Sequence, residues 1–79
     1  MQALAALGQR IRGRRQEVEI SQEELAARSG LDRTYISGVE RGVRNLSFTA
    51  LLKIAGSLNL SASALLEELD KRQEGEGDA

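Results

Sequence analysis

The sequence predicts an all-α domain built from five short helices. Three observations support this: apolar residues recur at the three- and four-residue spacing of a helix, a capping side chain precedes most of these stretches, and no strand-like alternation occurs. The chain has 79 residues and no proline, so the helix boundaries follow from caps and glycines. We expect one domain over residues 1–72, followed by a disordered acidic tail over residues 73–79.

The first two helices are amphipathic and polar on their outer faces. The first is predicted from about Ala3 to Val18, with arginines on the face opposite its apolar residues. The apolar positions are Leu4, Leu7, Ile11 and Val18. The second begins at Ser21, which forms a capping box with Glu24, and it ends at Gly30.

Three further helices complete the domain. The third is capped by Asp32 and ends before Gly42. Ser47 opens the fourth, which ends near Asn59, and Ser61 opens the fifth. The predicted inner face of the fourth helix consists of Phe48, Leu51, Ile54, Ala55 and Leu58. The apolar residues of the fifth helix are Leu65, Leu66 and Leu69.

The second and third helices carry the pattern of a helix-turn-helix. Only Gly30 and Leu31 separate the end of one from the cap of the next, and so short a link forces a steep crossing. Ala26 is the small residue that the crossing needs, and it is expected to face Ile36 and Val39. The alternative is an ordinary helical hairpin with small residues at its contact.

Composition and charge narrow the class of function. The formal net charge is −1, but residues 1–45 hold eight arginines against six carboxylates, whereas residues 46–79 hold three basic and six acidic side chains. A local positive field can therefore coexist with an acidic end. The chain has no cysteine and no histidine, which excludes disulfides, thiolate zinc sites and imidazole catalysis. We expect no enzyme activity, cofactor, metal or small-molecule ligand.

The chain is also expected to be soluble and cytoplasmic, without contact to a membrane. It contains no run of about 18 apolar residues that could span a bilayer. Its N-terminus lacks the charged segment followed by a long apolar region that marks a secretory signal.

The third helix presents a polar face suited to double-stranded DNA. A helical projection of residues 32–41 places the apolar residues and Glu40 inward, and the following residues outward: Arg33, Thr34, Ser37, Gly38 and Arg41. Arginine is the commonest bidentate reader of guanine, so Arg33 is predicted to read a base in the major groove. Thr34, Tyr35 and Ser37 are expected to support it. The alternative is a solvated helix face.

Two residues of this helix leave alternatives open. An interior glycine lowers helix stability, so Gly38 indicates either close approach to DNA or tight packing on a neighbouring helix. Tyr35 is expected to stack on sugar or on a thymine methyl, and otherwise it covers the rim of the domain.

Phosphate contacts are expected from groups that flank the groove. Gln22 lies in the first turn of the second helix, where exposed amides favour anions. The other candidates are Arg41, Arg44, Asn45 and Ser47. Ordinary loop polarity is the alternative for this group, and helix capping is the alternative for Ser47.

The same residues carry a resemblance to a known family. Residues 21–42 read SQEELAARSGLDRTYISGVERG and resemble the Cro and phage-repressor (XRE-type) family over residues 7–69. Residues 32–47 read DRTYISGVERGVRNLS and are similar to the controller proteins of restriction-modification systems. The resemblance implies a lambda-repressor-like fold, and it implies an internal salt bridge between Arg15 and Glu40.

We further expect a homodimer. One recognition helix reads only a few base pairs, so specificity requires two copies on a pseudo-palindromic operator, with recognition helices about 34 Å apart. The predicted interface residues are Leu60, Leu65, Leu66 and Leu69. Alternatively, these leucines complete the core of one chain.

The sequence thus predicts a sequence-specific transcriptional regulator. The resemblance implies a controller that autoregulates its promoter and times expression of an endonuclease. The alternatives are a phage-type repressor, or an antitoxin that also binds a partner protein through the fifth helix or the acidic tail. The operator sequence, and the choice between activator and repressor, are left open.

Overall fold

The structure, a computed structural model, describes residues 2–67, and these residues form five helices and no strand. The helices are α1 (Gln2–Glu17), α2 (Gln22–Ser29), α3 (Arg33–Glu40), α4 (Phe48–Ser57) and α5, helical over residues 62–67. The predicted all-α architecture is confirmed. The predicted tail, residues 73–79, lies outside the described residues, so the domain boundary at residue 72 stays a prediction.

The predicted caps begin four of the helices. Each cap oxygen accepts a hydrogen bond from a backbone amide two or three residues later, at 2.8–3.1 Å. The caps are Ser21, Asp32, Ser47 and Ser61. The capping box at Ser21 is formed on one side, because the carboxylate of Glu24 pairs with Arg28 at 3.0 Å.

Four helices are followed, within two residues, by a residue in the left-handed conformation. Gly30 and Gly42 have φ angles of 72° and 74°, and Glu19 and Asn59 have 58° and 59°. In each case the amide of the next residue donates to the carbonyl five residues earlier, as Leu60 does to Ala55 at 2.9 Å. The two glycine ends match the predicted positions.

The core lies between α1, α2, α3 and α4, and α5 closes it with one leucine. Its buried residues are Leu7, Ile11, Leu25, Ala26, Ile36, Val39, Leu51, Ile54, Ala55, Leu58 and Leu65. Ala26 is buried in the same cluster as Ile36 and Val39, as the crossing of α2 and α3 requires. No helix of the described residues has the length and apolarity needed to cross a membrane.

The prediction for Phe48 is wrong. It was placed on the inner face of α4, but 71% of the residue is exposed. Side chains of a helix lean towards its N-terminus, and Phe48 is the first residue of α4, so its ring projects off the end of the helix. Leu46, just before the helix, packs against the core instead.

Candidate nucleic-acid interface

The turn between α2 and α3 fixes which face of α3 is exposed. Gly30 reverses the chain in the left-handed conformation, and Asp32 starts α3 two residues later. The inner face of α3 is buried through Ile36 and Val39. The helix can therefore turn only its opposite face to a ligand.

The first turn of α3 carries the most accessible of the predicted base-reading side chains. Arg33 and Thr34 are exposed, and Tyr35 and Ser37 are half-buried. The Nε atom of Arg33 lies 3.2 Å from a carboxylate oxygen of Glu23, and both side chains are more than half exposed. Such a surface pair is weak, so the guanidinium can leave Glu23 for a stronger partner.

Gly38 is buried, so its predicted outward orientation is wrong. A β-carbon at this position would lie 3.1 Å from the β-carbon of Arg44. Of the two interpretations that the sequence left open, the structure shows tight packing. The partner is the loop after α3 rather than a neighbouring helix.

Tyr35 connects α3 to that loop. Its hydroxyl donates a hydrogen bond to the carbonyl oxygen of Asn45 at 3.1 Å and accepts one from the amide of Ser47 at 3.3 Å. The guanidinium carbon of Arg44 lies 5.3 Å from the centre of the Tyr35 ring, within the range of a cation–π contact. One side chain thus contacts three of the loop residues that were predicted to face phosphate.

The predicted phosphate-binding residues fall into two groups. Arg41, Arg44 and Asn45 are exposed on the loop side of α3. Gln22 is half-buried, and its amide nitrogen donates to Glu40 at 3.1 Å. The hydroxyl of Ser47 caps α4, which is the alternative given for this residue.

The implied salt bridge between Arg15 and Glu40 is present. Two guanidinium nitrogens lie 2.7 and 3.0 Å from the two carboxylate oxygens, and a third donates to the carbonyl of Ile20 at 3.0 Å. Only 12% of the Arg15 side chain and 3% of the Glu40 side chain are exposed. The hydrogen bond to Glu40 raises the pKa of Arg15 above its ordinary value. The pair joins α1 to the C-terminal end of α3.

Two glycines bring α1 against that same end of α3. A β-carbon at Gly8 would collide with the carbonyl oxygens of Val39 and Glu40, and one at Gly42 would lie 2.8 Å from the α-carbon of Ala5. Sequence reasoning missed Gly8. The available signal was a glycine on the apolar face of a long helix, where only close packing justifies it.

The leucines predicted for the dimer interface have different environments. Leu65 is fully buried in the core of the single chain, so its assignment to the interface is wrong. It packs inward because α5 closes the core at this position. Leu60 and Leu66 are half-buried against the core, and Leu69 lies outside the described residues.

Comparison with known proteins identifies the family to which this chain belongs. The Helix-turn-helix family matches residues 11–65, which include α2, the turn and α3. The chain belongs to this family. It is 41% identical over 58 residues to the control protein C.MunI of Mycoplasma sp, covering 73% of this chain and 78% of that protein.

Solved structures of restriction-modification controller proteins are also similar to this helix-turn-helix chain. The controller C.AhdI of Aeromonas hydrophila has 46% identity and a TM-score of 0.81, covering 82% of this chain and 98% of that one. The controller C.Esp1396I, solved as a tetramer with its natural 35 base-pair operator, has 42% identity and a TM-score of 0.79, covering 87% and 91%. The predicted family, fold and likeness to controller proteins are confirmed.

Proposed function

We propose that this chain is a sequence-specific DNA-binding transcriptional regulator that controls a restriction-modification system in the cytoplasm. It binds double-stranded DNA as a homodimer on a pseudo-palindromic operator. The observation that carries the proposal is the exposed first turn of α3 on a buried helix-turn-helix scaffold. The 42% identity to C.Esp1396I, a controller solved on its operator, supports it.

The geometry supports distinct tasks for two parts of the interface. The N-terminal turn of α3 enters the major groove, where Arg33 exchanges the carboxylate of Glu23 for the O6 and N7 atoms of a guanine. Thr34 and the half-buried Ser37 support this readout. Before binding, the Arg33 Nε atom lies 3.2 Å from a carboxylate oxygen of Glu23, and this exposed pair is weak enough to be given up for the guanine.

Phosphate contacts come from both sides of the recognition helix. Arg41, Arg44 and Asn45 are exposed on the loop side. On the other side, the first amides of α2 face the backbone of the duplex, because a helix N-terminus favours an anion. The Gln22 side chain joins them with the N–H that is not used by Glu40. Ser47 is not included among these contacts, since its hydroxyl caps α4 and its amide donates to the Tyr35 hydroxyl.

We expect a dimer because the DNA-contacting surface of one chain is small. A single recognition helix contacts too few base pairs to select one site in a genome. Leu60 and Leu66 are the described candidates for the contact between copies, because they are only half-buried within one chain. Leu69 extends the same prediction beyond the described residues.

Binding to the DNA upstream of the chain's own gene tests the proposal. Fluorescence anisotropy across a salt series is expected to show affinity that falls steeply with salt, because phosphate contacts release counterions. Arg33→Ala is expected to weaken binding by about 1 to 3 kcal/mol and to relax preference at one base-pair position.

Arg28→Ala is the matched control. Arg28 also carries an exposed ion pair, at 3.0 Å from Glu24, but it lies beside Leu52 and Lys53 of α4. Its loss removes the same charge and should leave base preference unchanged. Equal affinity for the upstream DNA and for a scrambled duplex would contradict the proposal, and a restriction endonuclease gene directly downstream would support the controller role.

A further inference from the structure

Gly38 lies in the middle of α3, where the loop after the helix returns against it. The amide of Val43 donates a hydrogen bond to the carbonyl oxygen of Gly38 at 3.0 Å. A β-carbon on Gly38 would lie 3.1, 3.7 and 3.9 Å from the β-, γ- and δ-carbons of Arg44. The stem of Arg44 therefore lies along the surface that Gly38 leaves bare.

Arg44 also contacts the ring of Tyr35 on α3. Residues 35 and 38 are three apart, so they face the same side of the helix. Arg44 packs its stem on Gly38 and holds its guanidinium 5.3 Å from the Tyr35 ring centre. The Tyr35 hydroxyl donates to the carbonyl oxygen of Asn45 and accepts from the amide of Ser47, and these two hydrogen bonds hold the chain on the far side of Arg44.

A β-carbon at position 38 would lie closer to Arg44 than an ordinary van der Waals contact allows. The nearest atom is the β-carbon of Arg44, which is attached to the loop backbone and cannot swing aside as a guanidinium could. The carbonyl of Gly38 also holds the loop through Val43. A β-carbon must therefore shift this part of the loop by a few tenths of an ångström, and the start of the Arg44 side chain moves with it.

We propose that Gly38 is a positioning residue for DNA binding, which acts by placing the guanidinium of Arg44 at a phosphate of the duplex backbone. This inference depends on the proposed function. Gly38 does not touch the DNA itself. Because Gly38 has no β-carbon, the side chain of Arg44 can pack directly on α3. Arg33 in the first turn reads the bases independently of this contact.

The test compares Gly38→Ala, Arg44→Ala and the double variant on the upstream DNA across a salt series. Each phosphate contact makes the slope of log K against log salt steeper by about 0.9, so one contact changes affinity by about eightfold between 1 M and 0.1 M salt. Arg44→Ala is expected to lose that slope, and Gly38→Ala is expected to lose part of it, because the loop shifts but the guanidinium is kept. The double variant should lose no more than Arg44→Ala alone, because both changes act on the same contact.

Gly56→Ala is the control for a change of glycine in a helix. Gly56 lies in α4, is exposed, and has no atom within 4 Å of the position of an added β-carbon. It should leave the salt slope unchanged. Circular dichroism of Gly38→Ala should show a folded helical chain, and its preference at the Arg33 position should be that of the unmodified chain.

The outcomes separate the two proposals. Unmodified protein that shows no salt-dependent binding to duplex DNA overturns the proposed function, and the positioning role fails with it. Binding by the unmodified chain together with an unchanged slope in Gly38→Ala overturns the positioning role alone. Additive losses of slope in the double variant also overturn it, because Gly38 would then act through something other than Arg44.

Discussion

The two sides of α3 are held in different ways. On the side facing α1, Gly8 lets α1 pack directly on the backbone carbonyls at the end of α3. A nearly buried salt bridge between Arg15 and Glu40 joins the same two helices. On the side facing the loop, the contacts of Tyr35 with Asn45 and Ser47 are exposed to solvent. Buried contacts cost much to break and exposed ones cost little. The contacts with α1 therefore fix the position of α3 in the fold, and the contacts with the loop shape the exposed face of α3.

Among these variants, removing Arg15 is expected to lower the free energy of unfolding the most. Arg15→Ala leaves the carboxylate of Glu40, with a side chain only 3% exposed, without its charged partner. The free energy of unfolding should fall by about 3 to 5 kcal/mol, measured by urea denaturation. Arg12→Ala removes an exposed arginine from the same helix and should change stability by less than about 0.5 kcal/mol. Equal stability of the two variants would place the pair among ordinary surface contacts.

Filling the contact between α1 and α3 comes next. Gly8→Ala introduces a methyl group against the carbonyl oxygens of Val39 and Glu40, which cannot rotate away. We expect the free energy of unfolding to fall by about 3 kcal/mol, at the upper end of the range for an overpacked core. Gly13→Ala is the matched control, because nothing lies within 4 Å of its added β-carbon, and it should gain up to about 1 kcal/mol. Thermal melts that rank Gly8→Ala level with Gly13→Ala would refute a backbone contact at this position.

A smaller effect is expected on the loop side. Tyr35→Phe removes the hydroxyl that bridges Asn45 and Ser47 but keeps the ring under Arg44. Water can satisfy the released groups, so the loss of stability should be about 0.5 to 1 kcal/mol in urea denaturation. A loss as large as that of Arg15→Ala would show that both sides of α3 are equally important to the fold.

The smallest effect concerns pH. The pKa of Arg15 is raised in the folded chain, so its stabilising contribution is complete below the ordinary arginine pKa and is lost only as pH rises through the folded value. The difference in unfolding free energy between the unmodified chain and Arg15→Ala should therefore be the same at about pH 7 and pH 10. A difference that shrinks over this range would contradict the raised pKa.

Features that depend on neighbours in sequence could be predicted, and features that depend on distant segments mostly could not. The caps at Ser21 and Asp32 involve residues two or three positions away, so their pattern is visible in the sequence. The contact of Gly8 with Val39 requires knowing that α1 crosses the end of α3. The Arg15–Glu40 pair also joins residues that are distant in the sequence, and only the family resemblance predicts it.

The candidate site divides in the same way. Helical periodicity sufficed to place Arg33 and Thr34 on the exposed face of α3. It could not show that the loop returns over Gly38, because loop paths leave no periodic signal. The role of Tyr35 as a bridge to Asn45 was missed for that reason, and Phe48 was misplaced because periodicity does not reveal where the core ends.

The exposure of Arg33 and Thr34 has a practical consequence for protein engineering. Neither side chain contributes to the buried cluster, so randomising these two positions should preserve the scaffold while varying which duplex it selects. A library of such variants would yield regulators with new targets and nearly constant melting temperatures.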